Sequence, residues 1–245
     1  MCRYIILLTL LSTVFAEHWT VLNNNTNTYC IILDSDSVSM TVKFTGQNGT
    51  ETYSFTINGT QSVTGNCMTS YGNRTAQSLK ASFFPAGSDT PATAAQPWDL
   101  EFIFGHDDKN AFKLLDYTLT TAPAPGMNAS FTSTVFYISA TFKKAQDDVD
   151  FQGHDTNAFK CSTSKLPLTN DSTIEMKNLN ALAFAELSKP EFPKQQVFEQ
   201  CLLDSRTSDI VPIVVGACLA GLVVIVLVAY LIGRARAKRQ GYASV

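Results

Sequence analysis

Between Asp209 and Arg234 the chain runs for 24 residues, Ile210 to Gly233, without one charged side chain. At about 1.5 Å per residue a helix of that length covers roughly 36 Å, enough to cross the hydrocarbon of a bilayer with some tilt. Pro212 falls in its first turn, where a missing N–H is harmless. Arg234, Arg236, Lys238 and Arg239 follow at once, and positive charge beside a span is held on the cytosolic side. The stretch therefore reads as a single-pass transmembrane helix, 210–233, followed by a cytosolic tail, 234–245. Everything before it is placed in a lumen or outside the cell. Gly216 with Ala220, and Ala217 with Gly221, put small residues four apart on adjacent faces, which would let a second copy pack closely as a homo-oligomer. Cys218 reads as a small apolar residue of the span.

The opening residues fit the same topology. Met1–Ala16 carries Arg3, an apolar run from Tyr4 to Leu11, and Val14-Phe15-Ala16 with small residues where a signal peptidase cuts. This is a cleaved secretory signal, too short to span a bilayer. Residues 17–209 are then the luminal domain. They hold 13 basic and 21 acidic residues, while 210–245 holds four basic and none acidic. An acidic domain with its only basic cluster beside a membrane excludes nucleic acid as a partner.

Cys2 leaves with the signal and Cys218 lies in the span, so Cys30, Cys67, Cys161 and Cys201 remain. An even number in an oxidising compartment implies two disulfides, in any of three connectivities. Sequential pairing would enclose 36 and 39 residues, each closure contributing about 3–4 kcal/mol in the chain-entropy view. No C-x-x-C occurs and no histidine neighbours a cysteine, so no metal or cofactor is expected. Sequons for N-glycosylation stand at Asn24, Asn48, Asn58, Asn73, Asn128 and Asn170, all between signal and span. Each sugar would shield the surrounding backbone from proteases.

Within 17–208 the apolar residues alternate over Ser39–Thr45, Thr52–Ile57, Asp99–Phe104 and Thr134–Phe142, the period of half-buried strands. Gly46 to Gly49 and Asn58-Gly59 supply turns. The expectation is a mostly β, antiparallel sandwich or barrel-like domain. Pro85–Pro97 and Thr121–Gly126 read as surface loops. Lys165–Lys189 is expected to contain a helix, centred on Leu179–Glu186. Gly105-His106-Asp107-Asp108-Lys109-Asn110-Ala111-Phe112-Lys113 nearly recurs as Gly153-His154-Asp155-Thr156-Asn157-Ala158-Phe159-Lys160. The echo is read as a duplicated turn and strand, since nothing in the spacing brings its copies together. Paired histidines as metal ligands or acid sensors are the bolder alternative.

No H-E-x-x-H, G-x-S-x-G, Walker A loop or Arg-His-Gly is present, and 34-Asp-Ser-Asp-Ser-37 lacks the glycine and distant glutamate of a calcium loop. The chain is not expected to be an enzyme. Its last residues say more. Gly241-Tyr242-Ala243-Ser244-Val245 is a Tyr-x-x-Φ signal preceded by glycine, beginning a few residues into the cytosol. A short extended tail adds to a sheet edge of an adaptor, with Tyr242 and Val245 filling two pockets.

Cys201-Leu-Leu-Asp204, the apolar run from Ile210 to Gly233, the basic patch and the terminal Gly-Tyr-x-x-Φ resemble the lysosome-associated membrane glycoprotein family over 201–245. Upstream, Tyr29-Cys30, Phe159-Lys160-Cys161 and the dense sequons add to the likeness. The resemblance implies an antiparallel β-prism domain with disulfides Cys30–Cys67 and Cys161–Cys201. It also implies residence in the lysosomal membrane and late endosome, reached through clathrin adaptor medium subunits that read the tail, with transient passage over the plasma membrane. Long vertebrate members carry two such domains joined by a Pro-rich hinge, whereas this chain has room for one. A cycling endocytic receptor with a luminal or extracellular ligand is the alternative reading of the same tail.

Overall fold

The computed structural model describes residues 16–46, 49–85, 96–106, 112–122, 140–147, 150–154, 156–207 and 210–241. They form two compact units, one ending at Cys201 and one starting at Leu202. The first is built from strands in two sheets.

The first sheet contains β1 (Glu17–Asn23), β2 (Thr28–Ser35), β3 (Ser37–Gly46), β4 (Gly49–Thr56), β11 (Ala158–Leu168), β12 (Ser172–Leu187) and β13 (Phe198–Gln200). The order runs β1-β2-β12-β11-β13, with β4 pairing β3 and β3 pairing β12. The second sheet holds β5 (Thr60–Tyr71), β6 (Arg74–Phe83), β7 (Trp98–His106), β8 (Phe112–Thr121), β9 (Ala140–Lys143) and the two-residue β10 (Gln152–Gly153). It runs β10-β8-β7-β6-β5, with β9 on β8. All pairings are antiparallel except β11 with β13. The mostly β, antiparallel domain anticipated from the alternating runs is what forms.

β12 is the hinge of the first sheet. Asn180–Leu187 pairs with β2, and Thr173–Lys177 pairs with β3 along the same edge. Between β2 and β3 the chain bends at Asp36, whose N–H donates to Lys177 O at 2.9 Å while the buried Ser35 hydroxyl donates to the same carbonyl at 2.8 Å. Opposite the bend Asn178 takes a left-handed φ of 48° and donates through Nδ2 to Asp36 Oδ2 at 2.7 Å. Asparagine tolerates this region because its short side chain bonds locally.

The helix expected within Lys165–Lys189 is not there: Ser172–Leu187 is one 16-residue strand. Leu182 and Ala183 are adjacent and both buried, so the segment lacks the alternation of a half-buried strand and its run of Leu and Ala mimics a helix. Strands do form over Ser39–Thr45, Thr52–Thr56 and Asp99–Phe104. Of Thr134–Phe142 only the end is described, as β9; of Thr121–Gly126, Thr121 closes β8 and Ala122 follows it, and the rest, like most of Pro85–Pro97, lies outside the described residues.

The sheets meet over aromatic rings. Trp98 packs edge-on against Phe55 at 5.0 Å and Phe44 at 6.4 Å, and Phe44 meets Phe142 at 5.3 Å. Phe104 contacts Phe151 at 5.7 Å, which stacks on Phe159 at 4.7 Å. Such pairs add a fraction of a kcal/mol to about 1.5 kcal/mol beyond area burial. No buried side-chain nitrogen or oxygen among the described residues lacks a hydrogen-bond partner. Truncating the fully buried Trp98 to alanine removes the ring shared by three neighbours. It is expected to cost about 3–5 kcal/mol, read as a lowered denaturation midpoint with unchanged slope.

Candidate functional site: disulfides, sequon asparagines and the apolar helix

Two covalent ties brace the β-domain. Cys30 on β2 joins Cys67 on β5, linking the two sheets with a Cα–Cα separation of 5.8 Å. Cys161 on β11 joins Cys201, the residue after β13, across 5.2 Å. Both sulfurs are consumed in that bond, and thiolate is the form that ligates a metal, so neither cysteine offers one a ligand.

The last strand is held by more than sulfur. Ala158 N–H donates to Val197 O and Cys201 N–H to Lys160 O, both at 2.9 Å. Glu199 receives the backbone N–H of His154 at 3.0 Å and the Asn157 side-chain amide at 2.8 Å, with His154 Nδ1 at 2.7 Å. Burial alone would push the Glu199 carboxyl up, but these hydrogen bonds to its charged form outweigh burial and hold it below the usual carboxylate range. Tyr117 is the opposite case: burial, with the Asp116 charge beside it, pushes its phenol far up, and its hydroxyl donates to Pro167 O at 2.7 Å.

The two copies of the sequence echo turn out to be neighbours. β10 pairs with β8 so that Gly153 opposes Phe112. A Cβ on Gly153 would lie 2.5 Å from Phe112 Cε1, and one on Gly105 would lie 2.3 Å from Leu115 Cδ1. Gly153, where a Cβ would also lie 2.5 Å from the Asn157 backbone oxygen, is needed for close approach, whereas at Gly105 the Leu115 side chain would have to swing aside. The histidines part company: His106 lies over the Phe184 ring at 3.8 Å, while His154 sits against Glu199. Long-range pairing, invisible in the spacing, supplied the missing contact.

Four of the sequon asparagines are described, and all four are exposed at turns or strand ends. Asn24 lies between β1 and β2, Asn58 between β4 and β5, Asn73 between β5 and β6, and Asn170 between β11 and β12. Asn48 and Asn128 fall outside the described residues, as do Tyr242 and Val245 of the tail. Gly241 is the last residue of α2 (Ile210–Gly241), a 32-residue helix that follows the short α1 (Leu202–Thr207). From Ile213 to Gly233 every residue of α2 is exposed, although the stretch holds no charged side chain and is dominated by apolar ones. Water does not tolerate such a surface, whereas lipid does.

The described residues thus define a disulfide-braced, two-sheet β-domain followed by a single membrane-spanning helix. Residues 211–243 match the family model described as "Lysosome-associated membrane glycoprotein 2, transmembrane segment". Lysosome-associated membrane glycoprotein 1 of Gallus gallus is 35% identical over 122 residues, 49% of this chain and 28% of that protein. The Bos taurus protein of the same name is 31% identical over 147 residues, 60% of this chain and 32% of its own. The chain thus matches about a third or less of these relatives' length. Among solved structures, the membrane-proximal domain of mouse LAMP-1 aligns with TM-score 0.52 at 15% identity, covering 78% of this chain and 98% of that one. Human LAMP-3 aligns with TM-score 0.50 at 16% identity, covering 77% and 99%. Those two share the fold. With the matches of sequence, they bear out the resemblance to the lysosome-associated membrane glycoproteins in both units of the chain.

Because Glu199 is held below its unfolded value, its contribution is fully present above the unfolded carboxylate range and is lost as pH falls through the lower folded value. Glu199→Gln is expected to lower the melting temperature by a few degrees at pH 7 and equally at pH 5. The gap between variant and parent should close only below about pH 4, measured by thermal unfolding of the detergent-solubilised chain across a pH series.

Proposed function

We propose that this chain is an N-glycosylated type I glycoprotein of the lysosomal and late-endosomal membrane, structural rather than catalytic, that shields the limiting membrane and takes part in lysosome biogenesis. In this reading residues 1–16 are a cleaved signal, 17–209 the luminal domain, 210–233 the span and 234–245 the cytosolic tail. The observation that carries it is the joint likeness of the β-domain and of residues 211–243 to the same family, in one chain. The fold likeness alone would not suffice, since folds host many functions.

Three features support the details. The described acceptor asparagines stand on exposed turns, where a hydrated sugar can extend without disturbing a sheet. The two disulfides brace the β-domain within and between its sheets, as suits a robust ectodomain. The match to the family's span continues past the basic patch to residue 243, into the Tyr242-x-x-Val245 signal. Clathrin adaptor medium subunits would read that signal by edge addition, with passage over the plasma membrane brief.

Tyr242→Ala, or removal of Val245, is expected to raise the surface pool several-fold, measured by biotinylation of intact cells against organelle fractions. An unchanged lysosomal steady state would remove the sorting role. A large surface pool of the parent chain would favour the cycling receptor instead.

A further inference from the structure

A sequon consists of two side chains, the asparagine amide and a hydroxyl two residues on. An enzyme that accepts only Ser or Thr at the second position has to contact that hydroxyl, so both groups must be free when sugar is transferred. All four described asparagines are exposed, but their hydroxyl partners are not alike.

Thr26, two residues after Asn24, is exposed, and its hydroxyl lies 2.7 Å from that of Thr28 in the same turn, at the surface. Thr75, two after Asn73, is exposed at the start of β6, next to a turn in which Gly72 takes a φ of 59°. Water can replace the Thr28 contact of Thr26, and Thr75 already faces solvent.

Thr60, two after Asn58, is part of a closed network. Its hydroxyl accepts the Trp19 indole N–H at 2.7 Å and donates to Glu17 Oε2 at 2.5 Å. The other oxygen of Glu17 takes the N–H of Gly59, the middle residue of the sequon, at 3.0 Å. Glu17 is 4% exposed and Trp19 is fully buried. Withdrawing Thr60 together with Gly59 would leave the buried Glu17 carboxylate only the Trp19 indole N–H, which lies 3.1 Å from Oε2, a costly loss in an interior. Ser172, two after Asn170, has no exposure at all, and its hydroxyl accepts the Lys43 backbone N–H at 2.9 Å. Asn170 and Asp171 are both left-handed, with φ of 60° and 52°, and Asp171 lies 3.6 Å from Lys43 Nζ. That tripeptide is wound into the tight turn between β11 and β12 and cannot extend into an enzyme groove without unpairing the strands.

We infer that Asn58 and Asn170 accept glycan only from the chain before its strands close, whereas Asn24 and Asn73 remain acceptors on the finished fold. This rests on the luminal reading proposed above. The partners that capture Thr60 lie 41 and 43 residues upstream, and the partner of Ser172 lies 129 upstream, so they have already been made when each hydroxyl emerges. Chain growth at about 5–20 residues per second leaves a short window for transfer. Occupancy at Asn58 and Asn170 is then a record of how fast the surrounding strands closed.

The test uses four full-length chains, each keeping one of these sequons with every other acceptor changed Asn→Gln. Each is synthesised in cells under a reversible inhibitor of oligosaccharide transfer and left until both disulfides have formed. Transfer is then released, with or without dithiothreitol to reopen them. Mobility before and after glycosidase reads occupancy. Asn24 and Asn73 should be modified in either condition. Asn58 and Asn170 should gain sugar several-fold more with the reductant than without it. Equal modification of all four on the oxidised chain overturns the inference. Absence of sugar at all four sites, with reductant present and tail protease-accessible in intact vesicles, overturns the use of these sequons but not the orientation. A tail protected from protease overturns the luminal reading itself.

Discussion

Strand β12 is hydrogen-bonded along both edges, to β11 on one side and to β2 and β3 in succession on the other. The rest of the first sheet depends on this sharing. Because two strands use one edge, the chain has to pass from β2 to β3 without leaving the ladder, and the Ser35-Asp36 bend with left-handed Asn178 opposite does so. The two disulfides act on the neighbours of β12 rather than on β12 itself. Cys30 ties β2 to the second sheet, and Cys161 ties β11 to the end of β13. β12 thus lies between two strands that are each covalently braced in the finished fold, which offsets part of the entropy of closing such distant pairings.

What could be read from the amino acids follows how each strand is buried. β3, β4 and β7 each bury one face and alternate, so their period of two is plain in the sequence. β12 buries consecutive residues at Leu182 and Ala183, and β2 does so from Ile31 to Leu33, so periodicity has nothing to report there. The span was legible for the reverse reason: lipid demands an uninterrupted apolar run, and Ile210–Gly233 supplies it. The sequon asparagines could be found by motif, but the burial of Ser172 and the capture of Thr60 by Glu17 and Trp19 could not. Both depend on partners far away in sequence. The adjacency of the echoed segments was hidden in the same way, since only the β8–β10 pairing creates it.

Function is distributed according to what each part of such a fold can tolerate. Sheet faces are packed with rings, and no buried side-chain nitrogen or oxygen among the described residues lacks a partner. Turn side chains already point into solvent, and there the described sequon asparagines stand. Glu199, a half-buried carboxyl held below the ordinary range by its hydrogen bonds to His154 and Asn157, keeps its charge in mildly acidic surroundings.

The end of the β-domain shows why a strand of three residues is enough before the membrane helix. β13 pairs with β11 in parallel, the less stable of the two ladder geometries, and covers only Phe198–Gln200. By itself such a strand would fray under any pull transmitted along the chain from residue 202 onward. Cys201 follows it directly and is bonded to Cys161 in the middle of the sheet, so tension along the backbone reaches a covalent bond before it reaches the ladder. Glu199, gripping His154 and Asn157, then has only to hold the orientation of β13, a task that exposed, charge-assisted hydrogen bonds can perform.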